Sequence, residues 1–405
     1  MRLTNLPAEY EKALPVIKKL EQAGFEAYFV GGSVRDSLLG KAIHDVDIAT
    51  SAFPEEIKNI FPRTIDVGIE HGTVLVLAQE DQYEITTFRT ESTYQDFRRP
   101  DHVEFVRSLE EDLKRRDFTI NAFALKEDGN IIDLFDGLSD LESKLLRAVG
   151  NPHERFHEDA LRMMRGLRFV SQLGFELEEE TFQAIVDNHA LLGKISVERI
   201  NSEFVQLLLG PNRNEGIREF VATECYQYCP GLKEEGEGLL RFADLPTIPI
   251  QDESQAWTLL FYHLTLSDTQ IRPFLKAWKC SNQLIKEVQA LVTGLHERLT
   301  TGTLSKWSLY QLGEERALKV EEMSEFFDQL IDLENIRIRY QELPIKSLSE
   351  LAVNGTILLN EIQKKPGKWV SDLLFVCEQS VIEGDLVNEQ ESLIRFAKTK
   401  LDEDE

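Results

Sequence analysis

An α/β head followed by a long all-α region is the fold class that three observations predict. Short apolar runs alternate with helically spaced segments over the first 140 or so residues. From about Leu141 the apolar spacing turns helical throughout, and prolines punctuate the gaps between helices. The chain has 405 residues, 42% of them hydrophobic, which is enough to bury a sizeable core in more than one domain.

The elements follow in order. The opening segment predicts an amphipathic helix with Leu14, Ile17 and Leu20 turned inward. Ala27–Val30 is a short apolar strand that ends in Gly31-Gly32, and residues 33–39 carry helical spacing up to Gly40. Residues 46–49, 73–78 and 83–88 read as strands. Pro54 at a first helical position, with Glu55 and Glu56 behind it, starts another helix. The polar stretch from Arg89 to His102 reads as a mobile loop, and beyond Leu141 no strand is expected. The acidic end, Asp402 to Glu405, reads as frayed and solvated.

Bulk properties exclude several classes. No apolar run approaches the roughly 20 residues that span a bilayer, so no membrane association is expected. The N-terminus lacks a basic start followed by an apolar block, and a cytoplasmic location follows as the default. Cys225, Cys229, Cys280 and Cys377 form no CxxC pair and read as reduced thiols, with Cys225 and Cys229 on one helical face. The net charge of -26, shared about evenly between the two halves, argues against nonspecific binding to nucleic acid. It leaves room for recognition of one RNA through a local basic strip.

Chemistry concentrates first at Asp45 and Asp47. They flank Val46 on an expected strand, where residues two apart point to one face. Adjacent carboxylates repel unless a cation lies between them, and hard oxygen ligands suit Mg²⁺. Glu84, on a nearby strand, would close the site as a third carboxylate, a cluster suited to metal ions that bridge an attacking hydroxyl and a triphosphate. A bare DxD is commonly a surface pair. Here it follows a strand, a Gly31-Gly32 turn and a helix carrying Arg35, where backbone amides can approach a phosphate and the guanidinium can bind its oxygens. That layout is the one found in the nucleotidyltransferase superfamily, whose head resembles that of DNA polymerase β.

Five segments then resemble, in order, the motifs of class II tRNA nucleotidyltransferases and bacterial poly(A) polymerases. They are GGSVRDSLLGKAIHDVDIAT (31–50), RRDFTINAFAL (115–125), DLFDGLSDLESKLLRAVGNP (133–152), FHEDALRMMRGLRF (156–169) and ISVERINSEFVQLL (195–208). The resemblance implies a polymerase β-like nucleotidyltransferase head over 1–142, a helical base-recognition neck over 143–210, a helical body over 211–300 and a tRNA-binding helical tail over 301–405. It assigns the catalytic metal to Asp45 and Asp47, triphosphate contacts to Gly32 and Arg35, and nucleotide contact to Arg116. Asp117 would face the ribose hydroxyls, while Asp159 and Arg162 would read the base with help from Arg165 and Arg168.

The base-reading assignment has its own chemical logic. Asp159, Arg162 and Arg165 recur every three residues and would share a helix face. A carboxylate accepts from an exocyclic amine, and a guanidinium donates to a ring nitrogen or carbonyl. Cytosine and adenine both present an amine beside an unprotonated ring nitrogen; uracil and guanine present the reverse. An Asp/Arg pair therefore admits C and A and leaves buried groups unpaired against U and G. Taken alone, such spacing is more often a surface salt bridge.

Within the family, residues 89–100 resemble the flexible loop of CCA-adding members, which is shortened or altered in CC-adding ones. The implied function is template-independent addition of CCA to the tRNA 3′ end from CTP and ATP, with pyrophosphate release, together with repair of incomplete ends. Poly(A) polymerase and CC addition are the alternatives, and a non-catalytic RNA-binding protein is the rival from another class. Family analogy implies a homodimer, and places Lys364, Lys365 and Lys368 near the tRNA elbow; as plain sequence they are solvated lysines. His153 to His157 matches H-E-x-x-H, a zinc pattern, but the fourth motif accounts for the segment without a metal and no third ligand is evident downstream.

Overall fold

The structure is a computed structural model that describes residues 1–78, 81–91, 94–95, 99–100 and 103–403. The chain folds as two compact units, Met1–Pro249 with Ala277–Lys279, and Ile250–Lys276 with Cys280–Glu405.

The first unit opens with α1 (Ala8–Gln22), whose Ile17 and Leu20 are buried and whose Leu14 is half-buried. It lies on a seven-stranded sheet of β1 (Ala27–Val30), β2 (Asp47–Thr50), β3 (Thr64–Gly68), β4 (Thr73–Ala78), β5 (Asp81–Thr87) and two later strands, β10 (Phe123–Leu125) and β11 (Ile131–Asp133). Between them come β6 (Arg89–Glu91), β7 (Tyr94–Gln95), β8 (Arg99–Pro100) and β9 (Val103–Phe105). The sheet order is β11-β10-β1-β2-β5-β4-β3; β2 and β5 run parallel and the other neighbours antiparallel. Tyr10 of α1 packs on Phe29 at 4.6 Å, over a core that includes Ile48, Val74 and Ile85.

Register places the chemistry. Val30, at the end of β1, pairs with Asp47 at the start of β2. The parallel pairing of Ile48 with Ile85 then puts Asp47 next to Glu84. Gly31 follows β1 directly at φ 77° and ψ -147°, a conformation that a side chain rarely adopts. It turns the chain into α2 (Gly32–Leu38), and α3 (Pro54–Ile60) begins at Pro54 as expected.

Several expectations need correction. The second strand begins at Asp47 rather than at 46, so Asp45 lies in the preceding connection and period-two alternation does not position it. The stretch read as a loop opens with β6, which pairs with β9 just beyond its end, and holds β7 paired with β8 inside; residues 92–93, 96–98 and 101–102 of it lie outside the described residues. Strands do not end at Leu141: β12 (Leu145–Leu146) pairs in parallel with β13 (Glu176–Leu177). Cys225 lies in a single 3₁₀ turn with Cys229 just beyond it, not on a shared helix face. Burial pushes the Cys225 thiol up to about 12 and that of Cys377 up to about 11.

After α4 (Leu109–Lys114) and α5 (Gly137–Ser143), Asn151 caps α6 (Pro152–Glu158), and α7 (Leu161–Leu173) follows. In α6 the His157 ring Nδ1 lies 2.9 Å from the His153 carbonyl, and His153 Nδ1 lies 3.0 Å from the Asn188 amide. Helices α8 (Glu179–Asn188), α9 (Val197–Leu208), α10 (Arg213–Ala222) and α11 (Gly236–Ala243) complete the unit. α10 approaches α7 closely because Gly216 has no side chain: a Cβ there would lie 2.7 Å from Cβ of Ser171.

The second unit is all-helical: α12 (Glu253–His263), α13 (Ile271–Ala277), α14 (Asn282–Thr301), α15 (Lys306–Met323), α16 (Leu333–Gln341), α17 (Gly355–Ile362), α18 (Trp369–Glu383) and α19 (Gln390–Glu403). α15 is broken at Gly313, where φ is 74°. A buried Arg298–Glu321 ion pair at 2.6 Å ties α14 to α15. Among the described residues no helix is long and apolar enough to cross a membrane.

Candidate nucleotide-binding site

Two hollows meet at Asp47. One, of about 430 Å³, is lined by Asp45, Asp47 and Glu84 with Glu9, His44 and Asp81. The other, of about 490 Å³, is lined by Gly31, Gly32, Asp47, Asp117, Asp159, Phe169 and seven arginines: 35, 115, 116, 162, 165, 168 and 199. A chain of strongly negative net charge thus gathers seven arginines around one cavity.

The carboxylates repel one another at Asp47. Asp47 keeps an exposed flank, yet desolvation in the cleft and then the neighbouring Glu84 push its carboxyl above the usual range; Asp45 adds to this and Arg116 opposes it. Hard oxygen donors of this kind fit a divalent cation, which would relieve that repulsion. Among the described residues no three His, Cys, Asp or Glu side chains converge into a ready-made metal cluster, so the protein would offer part of a coordination shell.

The arginines are braced from behind. Arg35 donates to Asn121 Oδ1 at 2.7 Å and pairs with Asp36 at 2.9 Å. Asp112 is fully buried and accepts from Arg115 at 2.8 Å and Arg116 at 3.2 Å; burial pushes its carboxyl up, but the two guanidiniums outweigh this and hold it below the usual range. Arg168 pairs with Glu203 at 2.6 Å.

The residues expected to read the base are arranged differently from expectation. Asp159 is not on a helix face: it occupies the extended break between α6 and α7 (φ -138°, ψ 103°). Its carboxylate accepts the Leu161 N–H at 3.1 Å and two bonds from Arg199, at 2.7 and 3.3 Å. Arg162 is buried and donates to Glu158 at 2.6 Å and to the Arg115 carbonyl at 2.8 Å. Asp117 accepts from the Phe118 N–H, the Asn121 amide and Arg165, so both its oxygens already have protein partners. The local break explains how residues 159 and 162 can line one cavity without sharing a helical row.

This geometry has known counterparts. The families described as Poly A polymerase head domain, "Probable RNA and SrmB- binding site of polymerase A" and tRNA nucleotidyltransferase domain 2 match residues 27–147, 174–235 and 248–397 respectively. A CCA-adding enzyme of Enterococcus faecalis is 60% identical over 401 residues, covering 98% of each chain. The chain belongs to the class II CCA-adding enzymes.

Other CCA-adding enzymes agree. One from Ligilactobacillus salivarius is 51% identical over the whole of both chains. The crystal structure of the Bacillus stearothermophilus CCA-adding enzyme in complex with CTP is 42% identical, covers 98% of both chains and superposes with a TM-score of 0.90. The fold is that family's: a mixed-sheet nucleotidyltransferase head with a mostly helical remainder.

Sequence reasoning singled out Gly32, Arg35, Asp47, Arg116, Asp117, Asp159, Arg162, Arg165 and Arg168, all of which line the arginine-rich cavity. It missed Arg115, Asn121, Phe169 and Arg199. Arg115 and Arg199 lay inside quoted motifs, and their charge was the available signal; Arg199 stands 40 positions from its partner Asp159, so no spacing rule could join them.

Proposed function

We propose that this CCA-adding enzyme completes tRNA 3′ ends by adding C, C and A from CTP and ATP, and repairs incomplete ends, at the cavity shared by Asp47 and the seven arginines. The observation that carries the reading is Asp47 itself, which belongs at once to the carboxylate hollow and to the arginine-lined cavity. Asp45 and Asp47 would hold Mg²⁺, with Glu84 adding negative field beside them. A bound Mg²⁺ would supply charge neutralisation for the triphosphate and activation of the attacking hydroxyl.

The chain's own residues account for the rest. Gly31 and Gly32 leave room for phosphate at the start of α2, and Arg35 and Arg116 offer cationic donors to its oxygens. The tRNA 3′ hydroxyl attacks the α-phosphorus and pyrophosphate leaves toward those cations. Arg162 donates to, and Asp159 accepts from, the edge of cytosine or adenine, while the Arg199 pair keeps the Asp159 carboxylate oriented. Asp117 steadies Arg165 and stands near enough to the cavity to meet a ribose.

In this reading the head spans 1–142, the base-reading neck 143–210, the body 211–300 and the tRNA-gripping tail 301–405, which carries Lys364, Lys365 and Lys368. The enzyme works as a homodimer, which light scattering of the purified chain checks. The deciding experiment offers tRNA lacking CCA each nucleotide singly and in combination, then sequences the products. Two C from CTP alone and one A only after them supports the reading. A poly(A) tail, arrest at CC with both nucleotides present, or no incorporation overturns it.

A further inference from the structure

Three of the cavity's guanidiniums converge on one aromatic ring. The Phe169 centroid lies 5.1 Å from Arg35, 5.6 Å from Arg165 and 4.4 Å from Arg168. Phe169 is 3% exposed and lines the cavity, with Phe118 set edge-on behind it at 5.8 Å. Arg165 and Arg168 lie on α7, the helix that carries Phe169 itself, whereas Arg35 reaches the ring from α2, so the ring ties the start of α2 to α7.

Like charges so close together repel. Of their carboxylate partners, Asp36 serves Arg35, Asp117 serves Arg165, and Glu203 pairs with Arg168 at 2.6 Å and with Arg165 at 3.9 Å, so no carboxylate reaches all three. The ring is shared by all three. Its negative face attracts a guanidinium without cancelling the positive charge that a phosphate needs, which a further carboxylate would do.

We propose that Phe169 is a positioning residue whose π-face gathers Arg35, Arg165 and Arg168 into one anion-binding collar for the triphosphate of the incoming nucleotide. This rests on the reading of the cavity as the nucleotide site. Phe169 also packs in an apolar cluster with Phe118, Ile120 and Val170, so a purely structural role must be separable.

Graded fluorination separates them. The full-length enzyme is prepared with 4-fluoro-, 3,5-difluoro- and 3,4,5-trifluorophenylalanine at position 169, a series that drains the ring's negative face at nearly constant shape. KM for CTP and ATP should rise stepwise along the series, by about threefold to tenfold at the end, with kcat within twofold and the melting temperature constant. Direct CTP binding by calorimetry should weaken in parallel, and Phe169→Tyr, which keeps the π-face, should stay near wild type where Phe169→Leu does not. A flat KM across the series, or a KM that changes only together with melting temperature, overturns the proposal. Wild-type enzyme run alongside keeps the two readings apart: normal CCA addition with a flat series removes the collar alone, whereas absence of any addition removes the nucleotide site itself.

Discussion

Asp117 and Arg165 share a single carboxylate oxygen: Nε of Arg165 lies 2.7 Å and Nη2 2.6 Å from Oδ2 of Asp117. Asp117 is buried, and burial alone would push its carboxyl up; the Arg165 charge, with the Asn121 and Phe118 donors, holds it well below the usual carboxylate range. A depressed folded value means the ionised form stabilises the fold at any pH above the unfolded value of about 3.9 and is lost as pH falls toward the folded value. Urea midpoints of wild type should therefore fall below about pH 4. Asp117→Asn should lower stability at pH 7 by about 2 kcal/mol and flatten that acid dependence. An unchanged acid slope in the variant would show that the pair carries no such linkage.

Asp47 has the opposite sign. Its carboxyl is raised, so the ionised form costs stability in the metal-free protein as pH climbs through the folded value. Asp47→Asn should therefore melt about 1–2 °C higher than wild type in EDTA at pH 7.5, the gain being limited by solvent screening on its exposed flank. The same variant should lose CMP and AMP transfer altogether. Differential scanning fluorimetry beside a radiolabelled incorporation assay reads both; a lower melting point contradicts the charge argument, and retained transfer contradicts the catalytic one.

Arg199 and Arg162 should fail differently. Arg162→Ala removes the donor proposed for the base edge and should blur selection, with UMP incorporation rising against CMP. Arg199→Ala leaves Asp159 held by the Leu161 N–H alone among its donors described above. It should cut kcat/KM for CTP and ATP by roughly ten- to a hundredfold, and Arg199→Lys should recover only part because one ammonium cannot supply two parallel bonds. Single-nucleotide kinetics with all four triphosphates distinguish these patterns; wild-type selectivity in Arg162→Ala would rule out its reading role.

Gly31 is constrained by its backbone. Its φ of 77° disfavours any side chain, and a Cβ there would lie in ordinary contact, at 3.5 Å, with Arg116 Nη1 and Asp47 Oδ2, groups that line the cavity. Gly31→Ala should destabilise the fold by about 1–2 kcal/mol and raise KM for the nucleotide more than tRNA affinity changes. Chemical denaturation and separate titrations of CTP and tRNA test this. An unaffected nucleotide KM would mean the turn does not face the phosphates.

Much of the head was legible because its signals are local. The β1 strand, the Gly31 turn, the Pro54 helix start and β4 each rest on period or on one residue's backbone preference, and the structure has them at or within a residue or so of the expected place. The three-residue strands β10 and β11 went unread because they are too short to show a period, and the β12–β13 pair because two residues cannot. Asp159 was misplaced for a related reason: i, i+3 spacing looks the same whether the chain is helical or breaks at the first member, and the break is held by Arg199 from another helix.

The sequence by itself determined the chemistry available here: which residues carry carboxylates and guanidiniums, where backbone freedom is needed, and the order of the five motifs, all properties of residue type and short spacing. Only the tertiary structure decided which charges face one another. Asp47 reaches Glu84 through strand register, Asp159 reaches Arg199 across 40 residues, and three guanidiniums meet on Phe169 because Arg35 of α2 comes up to the ring that α7 carries beside Arg165 and Arg168. Electrostatic attraction depends on distance in space, and distance along the chain says nothing about it once the chain has folded back on itself.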